Sequence, residues 1–120
     1  MGKQSATRRT VVTGGAGFLG SHLCEALLAR GEEVVCLDSF LTGSPDNVDH
    51  LMADPGFRLV RTDVTDFVHV GGEVDLVLHF ASPASPIDYL RMPVETLKVG
   101  SIGTLHALGL ARDKGARFVL

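Results

Sequence analysis

Short apolar runs alternate along this chain with longer stretches in which apolar residues recur at helical spacing. The runs contain many β-branched residues, and glycine or proline lies close to most of their ends, which is typical of buried strands. The longer stretches end near glycine, which is typical of helices. The pattern predicts strands over residues 10–13, 33–38, 57–61, 74–81 and 117–120, and helices over 18–30, 46–52 and 93–114.

The predicted strands are apolar on both faces, which indicates a parallel sheet covered by helices on both sides. We therefore expect an α/β fold with a doubly wound parallel sheet in the order 3-2-1-4-5. Residues 1–8 form a polar lead-in, and residues 9–120 form the domain portion. The fifth predicted strand lies at the end of the sequence. A natural domain seldom stops at an exposed edge strand, so we expect a truncated domain.

Composition and charge narrow the classes of function. Apolar residues make up 45% of the chain, which excludes a disordered protein. The net charge of −3 argues against a nucleic-acid-coating surface. No apolar run approaches the ~20 residues of a membrane span, and the polar N-terminus lacks the apolar core of a signal peptide. Neither the two cysteines nor the five histidines have metal-ligand spacing. These features predict a metal-free cytoplasmic protein with no nucleic-acid or membrane partner.

A glycine-rich stretch lies between the first predicted strand and the first predicted helix. Gly15, Gly17 and Gly20 match G-x-G-x-x-G, and Gly14, Gly17 and Gly20 match the wider G-x-x-G-x-x-G. In either register, glycine permits a tight turn and lets a pyrophosphate approach the backbone, where N–H groups at the helix start bind the anion.

A carboxylate follows at the end of the second predicted strand. Asp38 comes 18 residues after Gly20, close to the ~20 expected for an acid that binds the adenosine ribose. It would accept hydrogen bonds from the ribose hydroxyls and repel a 2′-phosphate. Ser39, not arginine, follows it, which favours NAD over NADP. The simpler interpretation is an ordinary glycine-rich turn and a surface aspartate, but the strand, turn, helix and acid together favour a Rossmann-type nucleotide site.

Several stretches resemble the extended short-chain dehydrogenases/reductases that act on nucleotide sugars. Residues 13–23, TGGAGFLGSHL, are similar to the opening of that family. Residues 38–44, DSFLTGS, residues 63–65, DVT, and residues 79–86, HFASPASP, most resemble the UDP-glucuronate decarboxylases (UDP-xylose synthases) of the family. The likeness covers about residues 9–120, which would be the NAD-binding portion. It departs from the family at Ser39, where asparagine is frequent, and at Val99 and Gly100, where threonine and asparagine are frequent.

The resemblance implies a role for named residues in binding NAD. The pyrophosphate, ribose, adenine and nicotinamide side of the cofactor would be bound by Gly14, Gly17, Phe18, Leu19, Gly20, Asp38, Ser39, Phe40, Thr42, Gly43, Asp63, Val64, Phe80, Ala81 and Ser82. Asp63 could instead cap a short helix. The sugar-nucleotide substrate, UDP-glucuronate, would lie near Ser85, Tyr89 and Lys98. Lys98 could equally be a solvated helix residue.

The resemblance also implies a reaction. NAD⁺ would oxidise the C4 hydroxyl of the sugar, the 4-keto product would lose CO₂ from C5, and the hydride would return to C4. The family's Tyr-x-x-x-Lys pair has no match here, because the sole tyrosine, Tyr89, has Pro93 four residues on. No catalytic residue is therefore assigned, and we expect this stretch alone to bind nucleotide without turnover. A homodimer is expected from the family.

Two other kinds of function stay open. A dTDP-glucose 4,6-dehydratase or a UDP-sugar 4-epimerase would share the same cofactor half and the same first oxidation. A non-catalytic nucleotide-binding module would need no Tyr-x-x-x-Lys pair.

Overall fold

Five parallel strands form a single sheet in this computed structural model, which describes residues 7–40, 44–66, 68–81 and 93–120. The strands are β1 (Arg9–Thr13), β2 (Glu33–Asp38), β3 (Phe57–Arg61), β4 (Leu76–His79) and β5 (Arg117–Val119). Their order is β3-β2-β1-β4-β5, and every neighbouring pair is parallel. The predicted fold class and strand order are confirmed.

The helices follow the predicted positions with two corrections. They are α1 (Phe18–Ala29), α2 (Pro93–Lys98) and α3 (Thr104–Lys114). The predicted continuous helix over 93–114 is interrupted by a π-helical segment, Val99–Gly103, which contains two residues of low helix propensity, Gly100 and Gly103. The predicted helix over 46–52 is wrong, because two 3₁₀ turns, Pro45–Asn47 and Asp49–Leu51, replace it around Val48, whose φ is −120°. None of the helices described is both long and apolar enough to cross a membrane.

Alternate residues of the central strands supply two cores on opposite faces of the sheet. Val12 and Cys36 pack with Cys24 of α1 on one face. Val11 and Leu37 pack with Leu110 of α3 on the other. Because side chains alternate across a strand, burial of both faces explains the continuous apolar runs in the sequence. The sheet is therefore doubly wound, and the carboxyl ends of β1, β2 and β4 meet at one edge.

Candidate functional site

The glycine turn, residues 14–17, connects β1 to α1 at this edge. Gly14 has φ +71°, and a Cβ built on it would lie 2.6 Å from the carbonyl oxygen of Phe80. Its N–H donates to the Leu37 carbonyl at 2.7 Å, which binds the turn to the end of β2. A Cβ on Gly20 would collide with the Gly14 backbone. The turn can therefore form only with glycine at both positions.

Gly15 explains why both glycine registers fit the sequence. A Cβ there would collide with the Cys36 thiol and lie 3.1 Å from that of Cys24. Both cysteines are buried and free, as predicted. Their mutual hydrogen bond and their burial raise the pKa of Cys36 far above its ordinary value. Gly15 thus serves packing beneath the turn, whereas Gly14 and Gly20 shape the turn itself.

No side chain caps the backbone N–H groups in the first turn of α1. Its N-cap, Gly17, provides no side chain, and the first turn contains no acidic residue. The side chains of Phe18 and Leu19 are 80% and 57% exposed. Free N–H groups and the positive end of the helix dipole attract an anion. This geometry fits the predicted pyrophosphate position.

Asp38, at the end of β2, is only 7% exposed and contacts the turn directly. One carboxylate oxygen accepts the N–H of Ala16 at 2.9 Å, and the other accepts the N–H of Phe40 at 2.7 Å. Phe40 adopts φ +63°, and the Arg61 guanidinium lies 5.7 Å from its ring centroid. The sequence predicted Asp38 as the ribose acid. That role stays a prediction, whereas the structure shows that Asp38 fixes the glycine turn through the Ala16 N–H.

Two residues that the sequence analysis missed bind the same turn. The carbonyl oxygen of Ala16 accepts the side-chain amide of Asn47 at 2.7 Å and the backbone N–H of Ser44 at 3.2 Å. Ser44 before Pro45 is a recognisable helix-start signal. Nothing in the sequence links that signal to residue 16, so only the folded chain reveals this contact.

A buried polar network fixes the end of β4. The Thr13 hydroxyl oxygen lies within hydrogen-bond distance of the Phe80 N–H (3.1 Å), the Ala81 N–H (3.3 Å) and Nδ1 of His79 (2.7 Å). Because two N–H groups donate to that oxygen, its own proton points to Nδ1. Nε2 of His79 then carries the ring proton and donates to the Thr104 hydroxyl at 3.1 Å. Burial lowers the pKa of His79, which keeps the ring neutral and structural, as predicted.

Three further predicted residues make contacts away from the glycine turn or none that involve it. Asp63 accepts the backbone N–H of Thr65 at 2.9 Å and its hydroxyl at 2.7 Å, so it caps a turn. Val64 is buried in the core, and its carbonyl accepts Nδ1–H of His106 at 2.7 Å. Lys98 ends α2 and is exposed.

Five predicted site residues lie outside the described ranges: Thr42, Gly43, Ser82, Ser85 and Tyr89. Within those ranges, no group of three or more His, Cys, Asp or Glu residues could hold a metal ion.

The geometry of this site is that of a nucleotide-binding protein with a doubly wound sheet. Four features meet beyond the carboxyl ends of the parallel strands: the glycine turn, the uncapped start of α1, Asp38 and the Phe80–Ala81 backbone. Doubly wound sheets bind nucleotides at this position. The model of the "NAD dependent epimerase/dehydratase family" matches residues 10–120. The chain belongs to that family.

Similar proteins refine this assignment. The chain is 51% identical over 112 residues to UDP-glucuronic acid decarboxylase 1 of Arabidopsis thaliana, covering 93% of this chain and 25% of the relative. It is 47% identical over 113 residues to UDP-glucuronic acid decarboxylase 1 of Danio rerio, covering 94% and 27%. The chain therefore spans about a quarter of the length of these relatives.

Solved structures are similar in fold over most of the chain. A UDP-galactose 4-epimerase structure has a TM-score of 0.76 and 32% identity, covering 92% of this chain and 37% of its own. The UDP-glucose 4-epimerase of Thermus thermophilus in complex with NAD has a TM-score of 0.70 and 34% identity, covering 89% and 34%. The Rossmann-type fold is confirmed.

Proposed function

We propose that this chain binds NAD at the glycine turn and that the full natural protein is a UDP-glucuronate decarboxylase that forms UDP-xylose. The observation that carries the NAD proposal is the shared geometry of the turn and Asp38. An open helix start suits a pyrophosphate, and a carboxylate fixed against the same turn suits the adjacent ribose.

Different residues of the chain would bind different parts of NAD. The N–H groups at the start of α1 would hold the pyrophosphate. Each carboxylate oxygen of Asp38 accepts one backbone N–H and keeps lone-pair capacity for a ribose hydroxyl. The Phe80 and Ala81 peptides, fixed by Thr13, would line the nicotinamide side. When bound, the cofactor would supply the hydride acceptor for C4 of the sugar in its oxidised form and the hydride donor in its reduced form.

The choice of substrate rests on similarity in sequence. Relatives named UDP-glucuronic acid decarboxylase reach 51% identity, whereas the epimerase structures described above reach 34%. A 4-epimerase or a 4,6-dehydratase would use the same cofactor half, but neither is favoured.

We also propose a homodimer that forms through the outer face of α2 and α3. This face is defined here by four apolar, exposed side chains, those of Val94, Leu97, Leu105 and Leu108. The cytoplasmic location stays a prediction from the sequence.

An assay of the full natural protein with UDP-glucuronate and NAD⁺ tests the proposal. The expected products are CO₂ and UDP-xylose in equal amounts, without net consumption of NAD⁺. Turnover of UDP-glucose to its 4-epimer, or of dTDP-glucose to a 4-keto-6-deoxy sugar, would replace the decarboxylase assignment. NAD binding without turnover of any of the three sugars would assign a binding module.

A further inference from the structure

We propose that Asn47 is a positioning residue for NAD, which holds the glycine turn in the orientation that presents the start of α1 to the pyrophosphate. This inference rests on the proposed function. Asn47 lies in a 3₁₀ turn 31 positions after Ala16 and comes from a segment to which the sequence analysis gave no binding role.

The peptide between Ala16 and Gly17 is held at both of its polar ends. Its carbonyl oxygen accepts the Asn47 amide at 2.7 Å and the Ser44 N–H at 3.2 Å. Its N–H, on Gly17, donates to the Gly14 carbonyl at 3.1 Å. In a trans peptide these two groups point in opposite directions, so fixing both fixes the peptide plane. This plane immediately precedes the free N–H groups of α1.

The preceding peptide is fixed by a different side chain. The N–H of Ala16 donates to Asp38 at 2.9 Å. Asp38 and Asn47 thus bind the two backbone polar groups of one fully buried residue. The residues between them include the predicted ribose contacts Ser39 and Phe40. The pyrophosphate turn and the ribose segment are therefore joined at Ala16, which preorganises both before the ligand arrives.

The backbone of Asn47 is fixed without its side chain. Ser44 caps the 3₁₀ turn by accepting the N–H of Asp46 at 3.2 Å, and the Asn47 N–H donates to the Ser44 carbonyl at 3.1 Å. Val48, which follows, is fully buried. A change confined to the amide should therefore leave the turn folded and remove only its contact with Ala16.

Two variants of the full natural protein test this role. Asn47→Asp keeps the shape of the side chain but replaces the donor with an acceptor that faces the Ala16 carbonyl, and Asn47→Ala removes the group. By calorimetry we expect the Kd for NAD to rise about tenfold in Asn47→Asp and about fivefold in Asn47→Ala. The matched control, Asp46→Asn, changes a neighbouring exposed residue and should bind within about twofold of wild type.

A kinetic measurement separates positioning from general structural damage. Turnover at saturating NAD should be unchanged in Asn47→Asp, because only binding of the cofactor is weakened. Unchanged NAD affinity in Asn47→Asp would overturn the inference. Weaker binding accompanied by lower turnover at saturating NAD and a lower melting temperature would assign a structural role and also overturn it. Failure of the wild-type protein to bind NAD would instead reject the proposed function.

Discussion

The carboxyl end of the sheet and the outer face of α2 and α3 are built in opposite ways. At the sheet end, Asp38, Asn47 and Thr13 each direct a side chain to a specific backbone group. On the outer face, Leu97 and Leu105 are 72% and 66% exposed. Directional hydrogen bonds fix a geometry to which a small ligand must fit. A row of exposed apolar side chains gains free energy when another surface covers it. This difference is the basis on which we propose a nucleotide ligand at one region and a second copy of the chain at the other.

The largest effect should follow from adding one methyl group to the glycine turn. Gly14→Ala meets the Phe80 carbonyl and adopts an unfavourable positive φ. We expect about 3 kcal/mol of lost stability and no measurable NAD binding. Gly31→Ala is the matched control, because Gly31 also has positive φ, at +82°, but no atom within 4 Å of the added Cβ. Gly31→Ala should lower the free energy of unfolding by about 1 kcal/mol and leave the affinity for NAD unchanged. Similar NAD affinities in the two variants would contradict the close approach of the Phe80 backbone to the turn.

Charged substitutions on the outer face should weaken dimerisation. In the full natural protein, the double variant Leu97→Glu with Leu105→Glu should raise the dimer dissociation constant at least about 100-fold, measured by sedimentation. Met52→Glu makes the same chemical change at a residue that is also exposed but lies outside this face, and it should leave association unchanged. A dimer that persists in the double variant would place the interface elsewhere.

The smallest expected effect is on stability in mild acid. The folded state keeps the pKa of His79 below its ordinary 6.5, and the unfolded chain restores it. Below pH 6.5 the unfolded state therefore binds more protons, so stability falls as pH decreases. Protonated Nδ1 would also compete with the Thr13 hydroxyl as a donor. Thermal melts between pH 7 and 5 should show this slope, and His79→Asn should flatten it. Equal slopes would exclude His79 as the cause.

The sequence predicted most of the fold because its strands are buried on both faces. Runs such as that of β2 carry a continuous apolar signal, and Gly31 and Gly115 mark helix ends. Local pattern was insufficient where tertiary contacts decided the backbone. Val48 is buried at the junction of two 3₁₀ turns, so helical periodicity over 46–52 was misleading. Spacing likewise contains no signal for the π-helical segment between α2 and α3.

Only the part of the candidate site that has a local signal in the sequence was predicted. Glycine spacing and Asp38 are local signals, and the structure brings them together. The bond from Asn47 to Ala16 and the bond from His79 to Thr104 join residues far apart in sequence. A single sequence contains no pattern for such pairs, because each depends on how the loops cross the sheet edge.

The most direct test of the account compares NAD and NADP binding in wild type and in Asp38→Ala by calorimetry. Asp38 fixes the Ala16 peptide, so its loss should weaken both cofactors to some extent. Asp38 is also predicted to accept the hydroxyls of the adenosine ribose, of which the 2′-hydroxyl is present only in NAD, so NAD should lose affinity by about tenfold more than NADP. A wild-type preference for NAD that disappears in the variant would support the central claim. Equal losses for the two cofactors, or a wild-type protein that binds neither, would contradict it.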